Sequence, residues 1–354
     1  MEFGLSQEQI LLQDSIARYL KDQVPLDEVR AVAEDPERDQ PIWHGLTELG
    51  LAGLIIPEAH GGVGLGLLDA VVVGETLGYH ITPGPFLSTA IMAPSLLIAA
   101  GQTDRLSDIA AGRYRVGIAL SEAVGARLDA GMAVSDGRLT GKALFALDAM
   151  ADAYIVNGPN RQLYWVDSEG PGVTRTLLTT IDKTRTLCEL KLDQAEATLL
   201  TDDPAVLQAG LDAGRIVQAS DSLGAAQCML DQAVAYAGQR EQFNRVIASF
   251  QAVKHMCAEM ASQLEPCRAL IWYGGHALSE GNDPARLTVC HAKAHLSEVA
   301  QFVARTSTEV HGGMGFTDLV GLHYWFKRIG ANRQLLGSPE LLREEAARIQ
   351  MLVA

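Results

Sequence analysis

Apolar positions recur at helical spacing up to about residue 112, switch to a two-residue alternation over about 113–200, and return to helical spacing from 203 to the end. Ser6 precedes Glu8, Gln9 and the apolar series Ile10, Leu11, Ile16 and Leu20, the pattern of a capped amphipathic helix. Pro25 and a polar run over 33–40 interrupt it, and a second helix is expected over 41–50. Gly61, Gly62, Gly64 and Gly66 then break regular structure as a tight loop requires. They lack the strand-then-helix setting of a dinucleotide fingerprint, which argues against a Rossmann unit. Helical patterns resume over 67–77 and 86–100, on either side of Pro83-Gly84-Pro85. The segments 114–122, 138–147, 153–158, 162–167, 172–178 and 188–200 are short and often alternating, parted by turns such as Asp136-Gly137 and Gly170-Pro171-Gly172. Four long helical patterns close the chain, at 204–237, 249–281, 284–310 and 340–352. The order predicts an α+β multidomain protein: an N-terminal helical domain (1–112), a middle β-domain (113–202) and a C-terminal bundle (203–354).

A length of 354 residues suits two or three domains, and 48% hydrophobic residues suffice for well-packed cores. The formal charge of −15 argues against nucleic-acid binding, which needs a basic stripe to displace counterions. A phosphate-bearing ligand must therefore be held by a local group of arginines or by helix N-termini. Cys188, Cys228, Cys257, Cys267 and Cys290 show no zinc-type spacing and read as buried thiols of a reducing compartment. His255, His276, His291, His295, His311 and His323 are scattered without metal-ligand spacing, so no metal is expected. The N-terminus has no leader pattern and no apolar run is long enough to span a membrane, so a cytoplasmic protein is expected.

The stretch 238–255, GQREQFNRVIASFQAVKH, places a basic-aromatic corner between two long helical patterns. A guanidinium offers a planar fork to a pyrophosphate and a ring offers a stacking face. The alternative is a surface ion pair and a ring plugging a core.

With that corner placed, the chain resembles the acyl-CoA dehydrogenase family along its whole length. The resemblance is carried by PEAHGGVGLGLLDAVVVGETLG, IALSE, TIDKTRTLCELKLD, GQREQFNRVIASFQ and VHGGMGF, in that order. It implies an N-terminal helical domain, a middle β-barrel-like domain and a C-terminal four-helix domain, with FAD between the β-domain and the helices and its ADP half reaching a neighbouring subunit. The substrate implied is an acyl-CoA thioester, desaturated between its α and β carbons. Arg240 and Phe243 match residues that clasp the FAD pyrophosphate and adenine side, and Gln251 matches a polar FAD contact. Asn244 stands where the family has Gly, and Asn tolerates positive φ. Glu309, Gly312 and Gly313 match a Q-x-x-G-G loop beside the ADP, although Glu309 loses the amide donor and adds a negative charge. Without the resemblance, HGGMG also reads as a helix C-cap and turn. Ser121 matches the first hydroxyl of a T-E-P-x-A-G-S-D loop that embraces the flavin; here it continues Glu122-Ala123-Val124-Gly125-Ala126-Arg127-Leu128, without the Gly-Ser-Asp end. Phe145 matches the aromatic residue behind the flavin ring, and the hydroxyl toward flavin N5 falls at Leu147. Arg215 matches a retained arginine at the start of the last domain.

Desaturation needs a carboxylate to remove the α-proton. The family's usual position falls here at Leu336 or Gly337, and the less common one, just before the arginine, at Gly214. Neither is acidic. Asp212, Glu340 and Glu241 are the candidate relocated bases; Glu340 also reads as the acidic first turn of the last helix, and Glu241 is expected to face solvent or Arg245. The resemblance then implies a base-less subunit of a hetero-oligomer with a homologous, base-carrying subunit, of the kind that acts on steroid side-chain CoA thioesters. A homo-oligomeric dehydrogenase with a relocated base, or a non-redox scaffold or CoA-thioester binder, are the rival readings.

Overall fold

The computed structural model describes residues 4–125, 129–282 and 284–353. It divides into two compact units, one made of Met1–Val29, Val71–Thr82 and Ile216–Ala354, the other of Arg30–Ala70 and Pro83–Arg215.

In the second unit the alternating segments form one eight-stranded sheet. Its strands are β1 (Val116–Ala119), β2 (Gly131–Ser135), β3 (Arg138–Leu147), β4 (Ala153–Asn157), β5 (Leu163–Asp167), β6 (Val173–Leu177), β7 (Leu187–Glu196) and β8 (Thr198–Thr201). The order is β6-β7-β3-β1-β4-β5-β8, with β2 paired to β3. Only β1 and β4 run parallel among these pairs. The expected turn at Asp136-Gly137 is a two-residue hairpin with φ of 52° and 74°. The strand entering it, β2, lies outside the segments the alternation picked out; it is largely exposed, so nothing forces apolar residues onto one face. The run 188–200 also divides, into β7 and β8. Leu139, Ala143, Ala146, Val156, Cys188, Leu190 and Leu192 fill the sheet's core.

Helices of this unit include α3 (Asp39–Glu48), α5 (Ala93–Ala99), α6 (Leu106–Ala110) and α7 (Ser121–Val124), preceded in the chain by α1 (Gln7–Gln23) and α2 (Leu26–Glu34). The polar run over 33–40 is thus no long break, because α2 runs into it and a 3₁₀ turn at Pro36–Arg38 leads straight to α3. The pattern over 86–100 begins as a π-helix, Phe86–Met92, and continues as α5. Arg115 fastens the unit: its guanidinium donates to Asp39 at 2.8 and 3.0 Å and to Asp148 at 3.0 and 2.8 Å, all buried. Burial drives the Asp39 carboxyl above its usual range, and Arg115 opposes that.

The helical unit holds α1, most of α4 (Leu67–Tyr79), the larger part of α8 (Pro204–Gln239), α9 (Gln251–Ser279), α10 (Ala285–His311), α11 (Leu322–Gln334) and α12 (Pro339–Ile349). Ser6 caps α1 in a reciprocal box with Gln9, as its sequence requires. Helices α4 and α8 touch backbone to backbone: a Cβ at Gly78 would lie 2.0 Å from the Asp221 carbonyl oxygen, and one at Gly224 1.8 Å from that of Glu75. Four of the C-terminal helices follow the expected spans, whereas α11 was absent from them. Its buried positions, Leu322, Trp325, Arg328, Ile329 and Asn332, keep helical spacing, but two are polar, and that hides the apolar period. Arg328 donates to Asp221 and to the Thr82 carbonyl, and Asn332 Nδ2 donates to Asp221 and Ser222.

Candidate functional site

The corner after α8 is a miniature hairpin in which β9 (Glu241–Gln242) pairs with β10 (Arg245–Val246). Its two turn residues, Phe243 and Asn244, have φ of 53° and 60°. Asn244 takes the left-handed conformation expected of it, and Phe243 must take it too, at a cost of about 1–3 kcal/mol. The strain accompanies an unusual placement: the Phe243 ring is 87% exposed. It meets Phe250 edge-on at 6.1 Å, and the Arg245 guanidinium lies 4.0 Å from the Phe250 ring centre. Arg240 is exposed, with its backbone held by Tyr236 and Ile247. Gln251 is the exposed first residue of α9, a helix start with no side-chain cap, and such N–H groups favour an anion.

The end of α10 lies against the end of α8. His311 stacks on Tyr236 at 4.7 Å, and the Ser307 hydroxyl donates to the Met229 carbonyl at 2.7 Å. Gly312 follows with φ 58° and ψ −137°, a conformation open to glycine, and a Cβ at Gly312 or Gly313 would meet nothing within 4 Å. Glu309 is exposed. Two arginines, a free aromatic face, an uncapped helix start and unobstructed glycine backbone fit the pyrophosphate and base of a dinucleotide. Only the Glu309 carboxylate runs against that fit.

In the sheet, Phe145 sits at an irregularity of β3 between Ala143 and Ala146 with φ 56°, so the strand re-aims its ring. Leu147 is buried, pairs with Ile118 and offers no donor. Ser121 opens α7, but its side chain, like residues 126–128 of the same loop, lies outside the described residues. Glu122, not singled out from the sequence, accepts from the Leu144 N–H at 3.0 Å, and burial raises its carboxyl.

The expected position of the usual base, Leu336 or Gly337, lies between α11 and α12, with Leu336 buried at φ 59° and Gly337 at φ 114°. The buried Lys293 Nζ donates to the Gly337 and Asn332 carbonyls at 2.9 and 3.1 Å. Gly214 lies inside α8. Of the three relocated-base candidates, two are engaged elsewhere and the third is exposed. Asp212 is buried, accepts from Gln208 at 2.9 Å and pairs with the buried Arg215 at 3.3 Å. Glu340 is exposed in the first turn of α12, where backbone N–H, Ser338 and Arg333 hold its carboxyl down to about 2, too weak a base for a thioester α-proton. Glu241 is exposed on β9, across from Val246.

Cys188, Cys228, Cys267 and Cys290 are buried as expected and Cys257 half-buried; burial pushes Cys228 up to about 12. Among the described residues no group of three or more His, Cys, Asp or Glu could hold a metal ion, and no helix is long and apolar enough to cross a membrane. Sequence reasoning missed the polar cluster around Gln218, Asp221, Ser222, Lys293, Arg328 and Asn332. Its signal was polar residues at core-facing helical positions, which periodicity discounts.

Comparison with known proteins agrees with the fold. Residues 6–105 match the model of the acyl-CoA dehydrogenase N-terminal domain, and 205–351 that of the C-terminal domain. The acyl-CoA dehydrogenase IpdE2 of Mycobacterium tuberculosis is 31% identical over 346 residues, covering 95% of this chain and 96% of its own. The solved structure described as a Tcur3481-Tcur3483 steroid ACAD G363A variant superposes with a TM-score of 0.88 at 28% identity, covering 98% of each chain. The ChsE4-ChsE5 complex of Mycobacterium tuberculosis shares the fold at a TM-score of 0.88 and 23% identity, covering 100% of each chain. With both terminal domains matched and a full-length relative at this identity, the chain belongs to the acyl-CoA dehydrogenase family of FAD-dependent oxidoreductases.

Proposed function

We propose that this chain is the base-less subunit of a mixed acyl-CoA dehydrogenase, completing the FAD site of a homologous subunit that carries the catalytic carboxylate. The observation that carries this reading is the chemistry at the two base positions: Leu336 and Gly337 in the turn between α11 and α12, and Gly214 inside a helix, none of them a carboxylate. Leu and Gly side chains have no group that can accept a proton. Two of the three structures and relatives compared above bear two-subunit names, one of them described as a steroid ACAD, and this supports a bulky, steroid-derived acyl-CoA thioester as substrate.

FAD, when bound, supplies the oxidant for α,β-desaturation. Arg240 would offer its guanidinium to the pyrophosphate, Phe243 its ring to the adenine side, and Gln251 with the α9 N-terminus further donors. Gly312 and Gly313 would let the backbone approach the ADP, with Glu309 close to them in the chain. Arg215, locked to Asp212, would order its turn of α8.

Co-expression with a co-encoded homologue tests the reading. About one FAD per two subunits, turnover by the mixed assembly and none by this chain alone are expected. Asp212→Asn, Glu340→Gln and Glu241→Gln leave the assembly's proton-abstraction rate intact. Full turnover by the isolated chain, lost in one of these variants, overturns it.

A further inference from the structure

The hairpin that follows α8 is pinned at its base and at its far end. At the base the Ile247 N–H donates to the Arg240 carbonyl at 2.8 Å. At the far end the Phe250 N–H donates to the Ile247 carbonyl at 3.1 Å, and the Ser249 hydroxyl to the Val246 carbonyl at 2.7 Å. Phe250 itself is extended, at φ −79° and ψ 134°, and its carbonyl accepts from the Lys254 N–H in the first turn of α9. It is a fixed point, half-buried where hairpin and helix meet. Phe243 at the tip is different. An exposed ring has little packing to select its rotamer, and such side chains change rotamer within picoseconds to nanoseconds.

Two contacts reach from the fixed ring toward the exposed one. Phe243 meets Phe250 with ring centres 6.1 Å apart and planes at 80°, the edge-to-face arrangement that aromatic quadrupoles favour. The Arg245 guanidinium lies 4.0 Å from the Phe250 ring centre, close enough for a cation–π contact. A planar guanidinium can stack on a ring as well as attract it, which a compact ammonium cannot. Arg245 and Phe250 therefore form a backing against which the Phe243 ring rests.

We infer that Phe250, braced by Arg245, positions the Phe243 ring for the adenine of the cofactor, so that both residues act on the cofactor through Phe243 rather than by touching it. The inference rests on the reading of this corner as an FAD clasp. Its physical basis is pre-organisation: a rotamer already selected before binding costs less to immobilise when the ligand arrives. The two arginines of the corner then have different tasks. Arg240 offers its fork to phosphate, and Arg245 braces a ring.

The test is FAD retention by this chain assembled with its co-expressed partner, read as fluorescence of released flavin and independent of turnover. Phe243→Leu, Phe250→Leu and Arg245→Gln are each expected to raise the dissociation constant at least about threefold. Phe250→Tyr, which keeps the ring, retains the wild-type value. The discriminating measurement is the double-variant cycle: with Phe243→Leu in place, neither Phe250→Leu nor Arg245→Gln adds a further loss. Displacement of FAD by ADP and by inorganic pyrophosphate gives a second readout, in which Arg245→Gln weakens ADP and leaves pyrophosphate unchanged. Additive losses, or weaker pyrophosphate in Arg245→Gln, show that Arg245 grips phosphate directly and overturn the inference while the clasp stands. Retention lowered by Phe243→Leu but untouched by Phe250→Leu and Arg245→Gln does the same. Retention unchanged in Phe243→Leu overturns both the inference and the adenine role of that ring. Should Phe250→Leu not fold, the exposed substitution Arg245→Gln, alone and combined with Phe243→Leu, still decides.

Discussion

At the scale of single residues, the chain spends backbone strain and buried charge in very different places. Phe243 adopts positive φ while remaining 87% exposed, so burial in a core does not offset the strain of its turn. Arg240 beside it is exposed. Arg240→Ala is therefore expected to weaken FAD retention by the mixed assembly about tenfold, with stability changed by less than about 0.5 kcal/mol; fluorescence of released flavin and a thermal melt measure the two effects. Arg115 is the opposite case, buried between two carboxylates. Asp148→Asn leaves its guanidinium half-compensated and is expected to cost about 3 kcal/mol in urea unfolding. Asp108→Asn, which breaks the exposed pair with Arg113, is expected to cost under about 1 kcal/mol.

At the scale of elements, α4 and α8 come together because glycine removes the side chains that would part them. A methyl at Gly224 meets the Glu75 carbonyl at 1.8 Å and one at Gly78 meets that of Asp221 at 2.0 Å, and neither obstacle is a flexible side chain. Gly224→Ala is expected to destabilise by about 2–3 kcal/mol through separation of the two helices. Gly238→Ala, in open space at the end of α8, is the matched control, expected to be neutral or slightly stabilising in the same denaturant melt. Helix α11 teaches a complementary lesson. It is held by Arg328 and Asn332 reaching Asp221 and Ser222 rather than by an apolar stripe alone, so its docking depends on a specific partner surface on α8.

At the scale of the whole molecule, acidity acts through histidines as well as carboxylates. Burial holds His80 below the usual imidazole value, and burial does the same to His311 despite its bond to the Ser307 carbonyl. The folded state therefore keeps both neutral where the unfolded chain, titrating near about 6.5, takes up protons. Stability is full above that value and is lost as pH falls below it toward the depressed folded values. The melting temperature is expected to drop by a few degrees between about pH 7.5 and 5.5. His311→Phe, which keeps a ring against Tyr236, is expected to flatten part of that slope; an unchanged slope assigns it to other groups.

The helical, β and helical succession, the Ser6 cap, the Asp136-Gly137 turn and the positive φ at Asn244 were all legible in the chain, because each follows from local periodicity or from what one residue's backbone tolerates. Motif order was enough to point to the family. Local pattern could not reveal β2, whose faces are both largely exposed, or α11, whose buried face is partly polar. Nor could it tell that Lys293 reaches the Gly337 and Asn332 carbonyls, or that Arg328 and Asn332 reach Asp221. Those outcomes depend on which polar groups meet across helices far apart in the chain, and a hydrogen bond is decided by ångström distances that only the packed structure sets.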